Sequence, residues 1–389
     1  MIECIACLYK DNHPLGILFN EEGLCSGCTL HQEKDILNWD ERRESLLNIV
    51  KDYRNQSSYD CIVPVTGGQD SYFTVDYVVN ELGLRPLLVN FNRVLNSREG
   101  IENLQRLRTV FGLDLQQATM NPVVVKRIIQ TTLANLGTIN WFWIAGQTSL
   151  PVRISRDLGV PLIIWGAHQG VEQVGMYSHL DDVEMTRRYR KEHDLMGVDE
   201  KEIFRFDCAF NEADMSQLQY PSDLDLLNSN TKGIYLSNYV RWDPYQQHEF
   251  VVKRYGYQGR KFARSYYQFD NPDCPVYMTI QDELKQMKFG YGKVTDQLTR
   301  EIRHGRIDRE KAKSLNNSYL EKTDSDSILK FLEWLGASRR SYELLKLNTS
   351  KDFAEKLKEF LISDSKKYED DEQLQDKDYD LFGKGVFID

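Results

Sequence analysis

The sequence has no run of about 18 apolar residues, the length that a helix needs to cross a bilayer. Its beginning, Met1-Ile2-Glu3-Cys4, contains neither the basic stretch nor the apolar stretch of a secretory signal peptide. Hydrophobic residues at 41% and charged residues at 28% lie in the range of globular proteins. The sequence therefore predicts a soluble protein of the cytoplasm that does not bind membranes.

Positive charge is also scarce, because the net charge is −10 and acidic residues gather near the end of the chain, at 368–372. Affinity for nucleic acid comes mostly from Lys and Arg side chains that neutralise phosphates. Nucleic acid is therefore disfavoured as a partner. Two basic stretches, 187–191 and 300–306, remain as contacts for a phosphorylated small molecule or as solvated helix faces.

Cysteine is limited to seven residues, an odd number, of which four form two close pairs. Such spacing in a reducing compartment suits a metal better than a disulfide framework. Four sulfur ligands complete a tetrahedral zinc site and leave no open position for catalysis. The first 30 residues are too short for a hydrophobic core, so their order must come from a metal or from docking. We expect a structural zinc ion held by Cys4, Cys7, Cys25 and Cys28.

Apolar runs alternate with stretches of helical spacing through the first half of the chain. The run at 60–65 ends in glycines and precedes a helical pattern at 71–79, which indicates a strand, a tight turn and a helix. This alternation predicts an α/β fold with a doubly wound parallel sheet. Further strands are predicted at 85–91, 113–118 and 160–166, and further helices at 35–55, 99–111 and 123–136.

The length of 389 residues exceeds a usual single domain and favours several units. After about residue 200 the alternation stops and aromatic residues become frequent, which indicates a second, mostly helical domain. Residues 326–361 have helical spacing, and the end of the chain is acidic. The predicted units are a zinc knuckle at 1–34, a nucleotide-binding domain at 35–200, a substrate domain at 201–325, and a helical segment with an acidic tail at 326–389.

The glycine turn after the first strand is the strongest chemical signal. Glycines let the backbone turn sharply and present N–H groups to a phosphate, and the following helix adds its positive N-terminus. A Walker A loop is excluded because its spacing is missing, and a purely structural turn is the alternative. Ligands of such sheets bind beyond the carboxyl ends of the strands. The predicted ATP-binding residues are Val65, Thr66, Gly67, Gly68, Gln69, Asp70, Ser71, Asn90, Phe91 and Gly166.

Within this loop, Asp70 either fixes the backbone or holds Mg²⁺, and Ser71 supplies a hydroxyl donor. The segment Thr66-Gly67-Gly68-Gln69-Asp70-Ser71 resembles the Ser-Gly-Gly-x-Asp-Ser loop of PP-loop ATP pyrophosphatases, which have the adenine nucleotide alpha hydrolase-like fold. The resemblance implies that ATP is cleaved between its α- and β-phosphates. A substrate oxygen would be adenylated, and a nitrogen or sulfur nucleophile would then displace AMP.

A wider resemblance rests on stretches spread along the chain, at 19–25, 59–64, 82–87, 235–243, 287–296 and 301–307. In these stretches the sequence resembles the N-acetyl sugar amidotransferases of bacterial surface-glycan biosynthesis. The resemblance implies that an N-acetyl group of a nucleotide-linked sugar becomes an acetamidino group, for lipopolysaccharide O-antigen or a flagellar glycan, with ATP and Mg²⁺. Adenylation is needed because an amide oxygen leaves poorly and AMP leaves well.

Ammonia for this reaction must be protected from water. A resident glutaminase with an N-terminal cysteine nucleophile is not visible, since residue 2 is Ile and the unpaired Cys61, Cys208 and Cys274 have no glutaminase context. The resemblance implies a separate glutaminase subunit and a cyclase-like barrel subunit that deliver ammonia. A homodimer is left open.

Substrate contacts are expected in the second domain and after the late strand. Relatives commonly read Trp-Gly-Glu-Asn there, but this chain has Ala167 and His168 in the last two positions, with Glu172 close by. The alternatives are that His168 has no chemical role and that the aromatic residues of the second domain belong to the hydrophobic core. Lys288 is assigned a catalytic or diphosphate-binding role. The candidate substrate-binding residues are His168, Glu172, Tyr239, Trp242, Asp243, Tyr291 and Arg303.

Two other functions compete with the amidotransferase. Some tRNA thiolases combine a zinc knuckle with a PP-loop, but they typically need further cysteines, and Cys61, Cys208 and Cys274 form no close pair. A catalytically inactive PP-loop subunit of an amidotransferase complex is favoured by Ala167 and disfavoured by intact Asp70 and Ser71.

Overall fold

The computed structural model describes residues 2–206 and 210–348, and Cys208 and the predicted acidic tail lie outside them. Five parallel strands form one sheet in the order β3-β2-β1-β4-β5. The direction of winding changes between β1 and β4, which is where ligands of such sheets bind. The strands are β1 (Cys61–Pro64), β2 (Pro86–Phe91), β3 (Leu115–Ala118), β4 (Leu162–Trp165) and β5 (Lys232–Tyr235).

Successive residues of the central strands point to opposite faces of the sheet, and both faces are buried. In β1, Ile62 packs into one hydrophobic cluster while Cys61 and Val63 pack into the other. Residues Ile163 and Ile164 of β4 divide in the same way. Burial on both faces explains why these strands appear in the sequence as continuous apolar runs.

Within the described residues there are sixteen α-helices, joined by short 3₁₀ and π-helical segments. They are α1 (Ser26–Ile36), α2 (Trp39–Lys51), α3 (Gln69–Asp76), α4 (Arg98–Phe111), α5 (Pro122–Leu136), α6 (Trp141–Leu158), α7 (Arg187–Tyr189), α8 (Glu200–Phe206), α9 (Glu212–Met215), α10 (Asp223–Ser229), α11 (Pro244–Tyr255), α12 (Asp282–Phe289), α13 (Lys293–Arg303), α14 (Arg309–Leu320), α15 (Ser325–Leu335) and α16 (Arg339–Asn348).

Helices cover both faces of the sheet. One cluster combines residues of α5, α6, α8 and α15 with one side of the strands. The other combines α2, α3, α4 and α11 with the opposite side. The predicted α/β class with a doubly wound parallel sheet, an N-terminal cysteine cluster and a helical C-terminal region is confirmed. The first cluster contains residues between 62 and 342, so it extends across the predicted domain boundaries. Those boundaries remain a prediction.

Two elements were missed by the sequence analysis. Strand β5 lies in the region where the alternation was expected to have stopped, and it pairs in parallel with β4 along its whole length. Helix α6, of 18 residues, contains Pro151 and packs on β1 and β2. Among the described residues, no helix combines the length and the apolar character that crossing a membrane requires.

The N-terminal 30 residues lie against the rest of the molecule instead of forming a separate appendage. Gly175 meets the backbone of Ser26 and Gly27 so closely that an added Cβ would clash with it. Asn12 Nδ2 donates a hydrogen bond to the carbonyl of Phe289 over 2.5 Å. The knuckle therefore docks beside the carboxyl edge of the sheet.

Candidate active site at the carboxyl ends of the strands

The glycine loop joins the end of β1 to the first turn of α3. The backbone N–H of Thr66 donates to Ser71 Oγ over 2.9 Å, and the N–H of Gly68 donates to Thr66 Oγ1 over 3.2 Å. Asn90 holds the start of the loop, since its Nδ2 donates to the carbonyl of Val65 over 2.7 Å. The first N–H groups of α3, at Gln69, Asp70 and Ser71, have no partner within the helix. They form an anion-binding end at the point where the sheet changes direction.

The two glycines of the loop serve different needs. Gly67 has φ of +83°, which L-residues rarely adopt, and a Cβ there would lie 3.0 Å from the backbone of Leu104. Gly68 has an ordinary φ of −77°, but a Cβ there would approach Asn271 Nδ2 to 2.5 Å. Gly67 is therefore required by the turn itself, and Gly68 by the narrow space above it.

Asp70 is the carboxylate of this loop, and its Oδ1 is buried with no hydrogen-bond partner. Burial raises the pKa of Asp70, while the positive charges of Arg300 and Lys293 on α13 oppose that rise. An unpartnered carboxylate oxygen is the type of ligand that Mg²⁺ prefers. Arg300 and Lys293 were missed as site residues, although the sequence analysis noted the basic stretch at 300–306.

A small cavity of about 150 Å³, here called the loop cavity, lies beyond the ends of β1 and β2. It is lined by the predicted residues Thr66, Asn90 and Phe91. Gln117 of β3 donates to Asn90 Oδ1 over 2.7 Å, so the amide of Asn90 is oriented from both of its ends. The structure thus brings these three predicted residues together at one cavity.

A second cavity of about 510 Å³, here called the large cavity, lies beyond β4 and β5. Its walls come from distant parts of the chain, including the knuckle, α6, the segment after β4, and α12. Eight Phe, Trp and Tyr side chains contribute to the lining, and Lys285 and Lys288 bring positive charge from one face of α12. A volume of this size is typical of small-molecule sites, which range over roughly 300–1,000 Å³.

Trp143 of α6 lines both cavities and so forms part of the wall between them. The guanidinium of Arg93 lies 3.5 Å from the centre of its ring. Arg93 also pairs with Asp273 over 3.1 Å. These three residues were not among the sequence predictions, because they come from three separate segments that carry no recognisable motif.

Lys288 and Tyr291 both line the large cavity, as expected for substrate-contacting residues. Lys288 Nζ donates to the carbonyl of Leu136 over 3.1 Å, and burial lowers the pKa of this lysine to about 8. The ring of Tyr291 stacks on His13 of the knuckle, with the ring centres 5.2 Å apart. Their roles in binding or catalysis remain predictions.

His168 and Glu172 lie after β4, where relatives carry other residues. His168 is fully buried among Tyr177, Tyr189 and Tyr235, and both ring nitrogens lack partners. Burial lowers the pKa of His168 to about 3, so its ring is neutral. Glu172 forms a buried ion pair with Lys34 of α1. Neither residue lines the large cavity.

Three of the predicted substrate-binding residues line neither cavity, namely Tyr239, Trp242 and Asp243. Trp242 is 1% exposed and packs on Phe73 in the core. Asp243 caps α11, accepting from the N–H of Tyr245 over 3.1 Å, and pairs with Arg306.

Two further predicted residues have close protein neighbours. The hydroxyl of Tyr239 donates to Glu184 over 2.7 Å. Gly166 follows β4 as predicted, but a Cβ there would lie 3.0 Å from Thr74 Oγ1, so this glycine allows α3 to approach the sheet.

The four predicted metal ligands converge as expected. The sulfur atoms of Cys4, Cys7, Cys25 and Cys28 are buried and lie within 4.8 Å of one another. The separations of 3.9 Å between Cys4 and Cys28 and of 3.6 Å between Cys7 and Cys25 bracket the value of about 3.8 Å that a tetrahedral zinc–thiolate site requires. Among the described residues this is the one cluster that could hold a metal ion in this way.

Arg303, predicted to bind substrate, lies against this cluster. Its Nη2 is 3.8 Å from Cys25 Sγ, and its Nη1 donates to the carbonyl of Gln173 over 2.8 Å. Four thiolates around a divalent ion carry a net charge of −2, which a neighbouring guanidinium stabilises. On the same helix, Arg300 instead lies near Asp70. The two arginines therefore serve different parts of the molecule.

Comparison with known proteins identifies the C-terminal part of the chain. Residues 241–379 match the family model described as LPS biosynthesis protein WbpG-like, C-terminal domain. The likeness to proteins of lipopolysaccharide biosynthesis is thereby confirmed for this part of the sequence. None of the curated proteins matches the chain.

Solved structures with a similar arrangement include two synthetases and a thiolase. The NH3-dependent NAD synthetase from Campylobacter jejuni has 15% identity and a TM-score of 0.30, covering 57% of this chain and 94% of its own. The NMN synthetase from Francisella tularensis has 11% identity and a TM-score of 0.28, with coverages of 56% and 87%. The U34-tRNA thiolase NcsA from Methanococcus maripaludis, with its [4Fe-4S] cluster, has 12% identity and a TM-score of 0.30, with coverages of 82% and 88%.

Proposed function

We propose that this chain is an ATP-dependent amidotransferase that converts an N-acetyl group of a nucleotide-linked sugar into an acetamidino group. One observation carries the proposal: a glycine loop lies at the strand edge that also borders the large cavity, and it combines N–H groups that have no partner within α3 with a buried Asp70 oxygen that has no hydrogen-bond partner. The match of residues 241–379 to a lipopolysaccharide biosynthesis family supports a glycan-related substrate.

The reaction has two steps in which all atoms are accounted for. The acetamide oxygen attacks the α-phosphorus of ATP, a new P–O bond forms, and the bond to the β-phosphate oxygen breaks, so pyrophosphate leaves. Ammonia then attacks the imidate carbon, a proton leaves its nitrogen, and the C–O bond breaks. AMP departs with the original acetamide oxygen, and the amidine remains.

The residues around the loop suit the first step. The N–H groups at the start of α3 would bind the pyrophosphate end of ATP, and Arg300 and Lys293 would offset its charge. A magnesium ion held at Asp70 would neutralise phosphate oxygens further. The adenosine part would occupy the loop cavity, which Asn90 and Phe91 help to line.

The large cavity suits the second substrate. Its aromatic walls would hold the sugar and base, and Lys285 and Lys288 would lie near the diphosphate. With a pKa of about 8, Lys288 can also exchange a proton near neutral pH. We further propose that Zn²⁺ occupies the cysteine cluster, and that separate glutaminase and barrel subunits deliver ammonia in the cytoplasm.

A single assay separates this proposal from its two competitors. The purified chain is incubated with ATP, an ammonium salt and a panel of acetamido sugar nucleotides, and the products are read by mass spectrometry. The proposal predicts AMP, pyrophosphate and a sugar product in which NH has replaced one oxygen.

The other outcomes assign the competing functions. A thiolase would form AMP only with a tRNA and a sulfur donor, and a subunit without turnover would form no AMP under any condition. The proposal would be overturned if the rate of ATP cleavage did not depend on any acetamido sugar or on ammonia.

A further inference from the structure

The cysteine knuckle contributes directly to the wall of the large cavity. His13, Pro14 and Leu15 line that cavity, although they lie more than 100 residues before most of its other lining residues. His13 is 6% exposed and stacks on Tyr291. The N–H of Leu15 donates to His13 Nδ1 over 3.3 Å, which fixes the orientation of the ring. The knuckle is therefore one side of the binding site.

A chain of hydrogen bonds continues from the knuckle into the site. The hydroxyl of Tyr9, between the two cysteine pairs in sequence, donates to Asp296 Oδ1 over 2.7 Å and accepts from Gln173 Nε2. Gln173 Oε1 accepts from Arg300, and Asp296 Oδ2 accepts from Lys285. Tyr9 is 1% exposed, so its hydroxyl has no solvent to replace either partner.

The ends of this chain lie at the two halves of the site. The positive charge of Arg300 acts on Asp70 of the glycine loop, and Lys285 lines the large cavity together with Asp296. From Arg300 through Gln173 and Tyr9, each group donates to the next, and the Asp296 carboxylate accepts both from Tyr9 and from Lys285 at the other end. Such a consistent order favours one arrangement of the side chains over its alternatives.

We infer that the cysteine knuckle is a substrate-recognition element of the large cavity, with Tyr9 as its positioning residue. This inference rests on the proposed function for the identity of the ligand, an acetamido sugar nucleotide. The knuckle supplies the stacked ring of His13 as a wall and uses Tyr9 to hold Asp296 and Lys285 in place. Residues 2–30 have too little core to do this alone, so the metal held by the four cysteines would fix both contacts.

The test compares two tyrosine variants of the full-length, metal-loaded protein. Tyr9→Phe removes only the hydroxyl that contacts Asp296 and Gln173, two residues that line the cavity. Tyr59→Phe removes an equivalent hydroxyl, which donates to Asp114 over 2.8 Å on an exposed part of the molecule. Amide hydrogen exchange is measured along the chain, and the affinity for UDP-N-acetylglucosamine is measured by tryptophan fluorescence.

Tyr9→Phe is expected to speed exchange about tenfold in 282–303 and to weaken the sugar nucleotide about tenfold, with ATP affinity within about twofold of wild type. Tyr59→Phe should change none of these quantities. Changes confined to residues 2–30, with unaltered affinity for the sugar nucleotide, would overturn the inference.

Two further measures keep the test decisive. If Tyr9→Phe does not fold, Asn12→Ala removes the knuckle's bond to Phe289 and should speed exchange in the same segment. If UDP-N-acetylglucosamine does not bind to the wild type and no panel sugar reacts, the proposed function fails. The exchange comparison then still decides whether the knuckle organises the cavity.

Discussion

The loop cavity and the large cavity lie side by side but are built in different ways. The loop cavity is formed mainly by Thr66 after β1, by residues 90–93 at the end of β2 and by the first turns of α4, with Trp143 and Asp273 added from other segments. The large cavity takes its lining from the knuckle, α6, the segment after β4, and α12. Elements next to β1 and β2 in the chain thus supply most of the first cavity, whereas the second is lined mostly by segments that are distant from one another in the chain. The proposed roles follow this division, with ATP in the first cavity and the variable second substrate in the other.

The largest effect is expected at Asp70, which belongs to the ATP side alone. Asp70→Asn should lower AMP formation about 100-fold or more and leave the affinity for the sugar nucleotide unchanged, because it removes the charge that faces the phosphates. Rapid-quench measurement of AMP checks this expectation.

The matched control for Asp70 is Asp76→Asn on the same helix, where the carboxylate accepts from Asn80 over 2.8 Å and from Tyr255. This variant should lower the free energy of unfolding by about 1 kcal/mol with normal AMP formation. Equal losses of activity in both variants would contradict the assignment.

The next largest effects are expected at the two glycines of the loop, one on ATP affinity and the other on the free energy of unfolding. Gly68→Ala should weaken ATP binding about tenfold or more, since the methyl group enters the space beside Asn271 without straining the backbone. Gly67→Ala should instead lower the free energy of unfolding by about 1–3 kcal/mol, because its φ is +83°.

Calorimetric titration with ATP and thermal unfolding distinguish these two results. An unchanged ATP affinity in Gly68→Ala would show that the nucleotide does not lie over this glycine.

A moderate effect is expected at Lys288 on the side of the second substrate. Burial lowers the pKa of Lys288 from 10.5 to about 8, so its positive charge is lost as the pH rises through that value. The KM for the sugar nucleotide should rise about tenfold between pH 7 and pH 9 while the KM for ATP stays constant.

Lys288→Met should have the high KM at both pH values. Because the folded chain binds fewer protons than the unfolded chain between pH 8 and pH 10.5, this lysine also makes the free energy of unfolding increase with pH in that window. A pH dependence that persists in Lys288→Met would assign it to another group.

The smallest effect is expected at Trp143, which belongs to both cavities. Trp143→Phe weakens the contact with the Arg93 guanidinium, a type of interaction worth about 0.5–1 kcal/mol. The KM values for ATP and for the sugar nucleotide should therefore both rise about two- to fivefold. Steady-state kinetics with each substrate varied in turn would show whether the change reaches both sides or only one.

The sequence predicted those parts of the fold that local patterns specify. Strand β2 lies within the predicted 85–91, because a strand buried on both faces is a continuous apolar run. Strand β5 was missed because it has four residues, begins with Lys232 and lies among many aromatics. Helix α6 was missed because Pro151 interrupts its pattern, although the proline is accommodated inside the helix.

Some residues of the candidate site could likewise be predicted from the sequence and others could not. Three arginines of one stretch show why. Arg300 and Arg303 lie on α13 and Arg306 follows that helix, and the tertiary packing gives each of them a different neighbour. Arg300 lies near Asp70, Arg303 contacts the cysteine cluster, and Arg306 pairs with Asp243 and Glu301. Which face of a helix meets which partner depends on the tertiary structure, so the prediction chose Arg303 and overlooked Arg300.

The docking of the knuckle onto α13 and α14 has a consequence for biosynthesis. Tyr9 contacts Asp296, and Cys7 accepts a hydrogen bond from Arg309, so these partners are separated by 287 and 302 positions. At about 5–20 residues per second, a ribosome would need roughly 15–60 s to supply the second half of each pair. During that interval the thiols of the nascent chain have no protein surface to shelter them, and early capture of a metal ion would protect them from oxidation until translation is nearly complete.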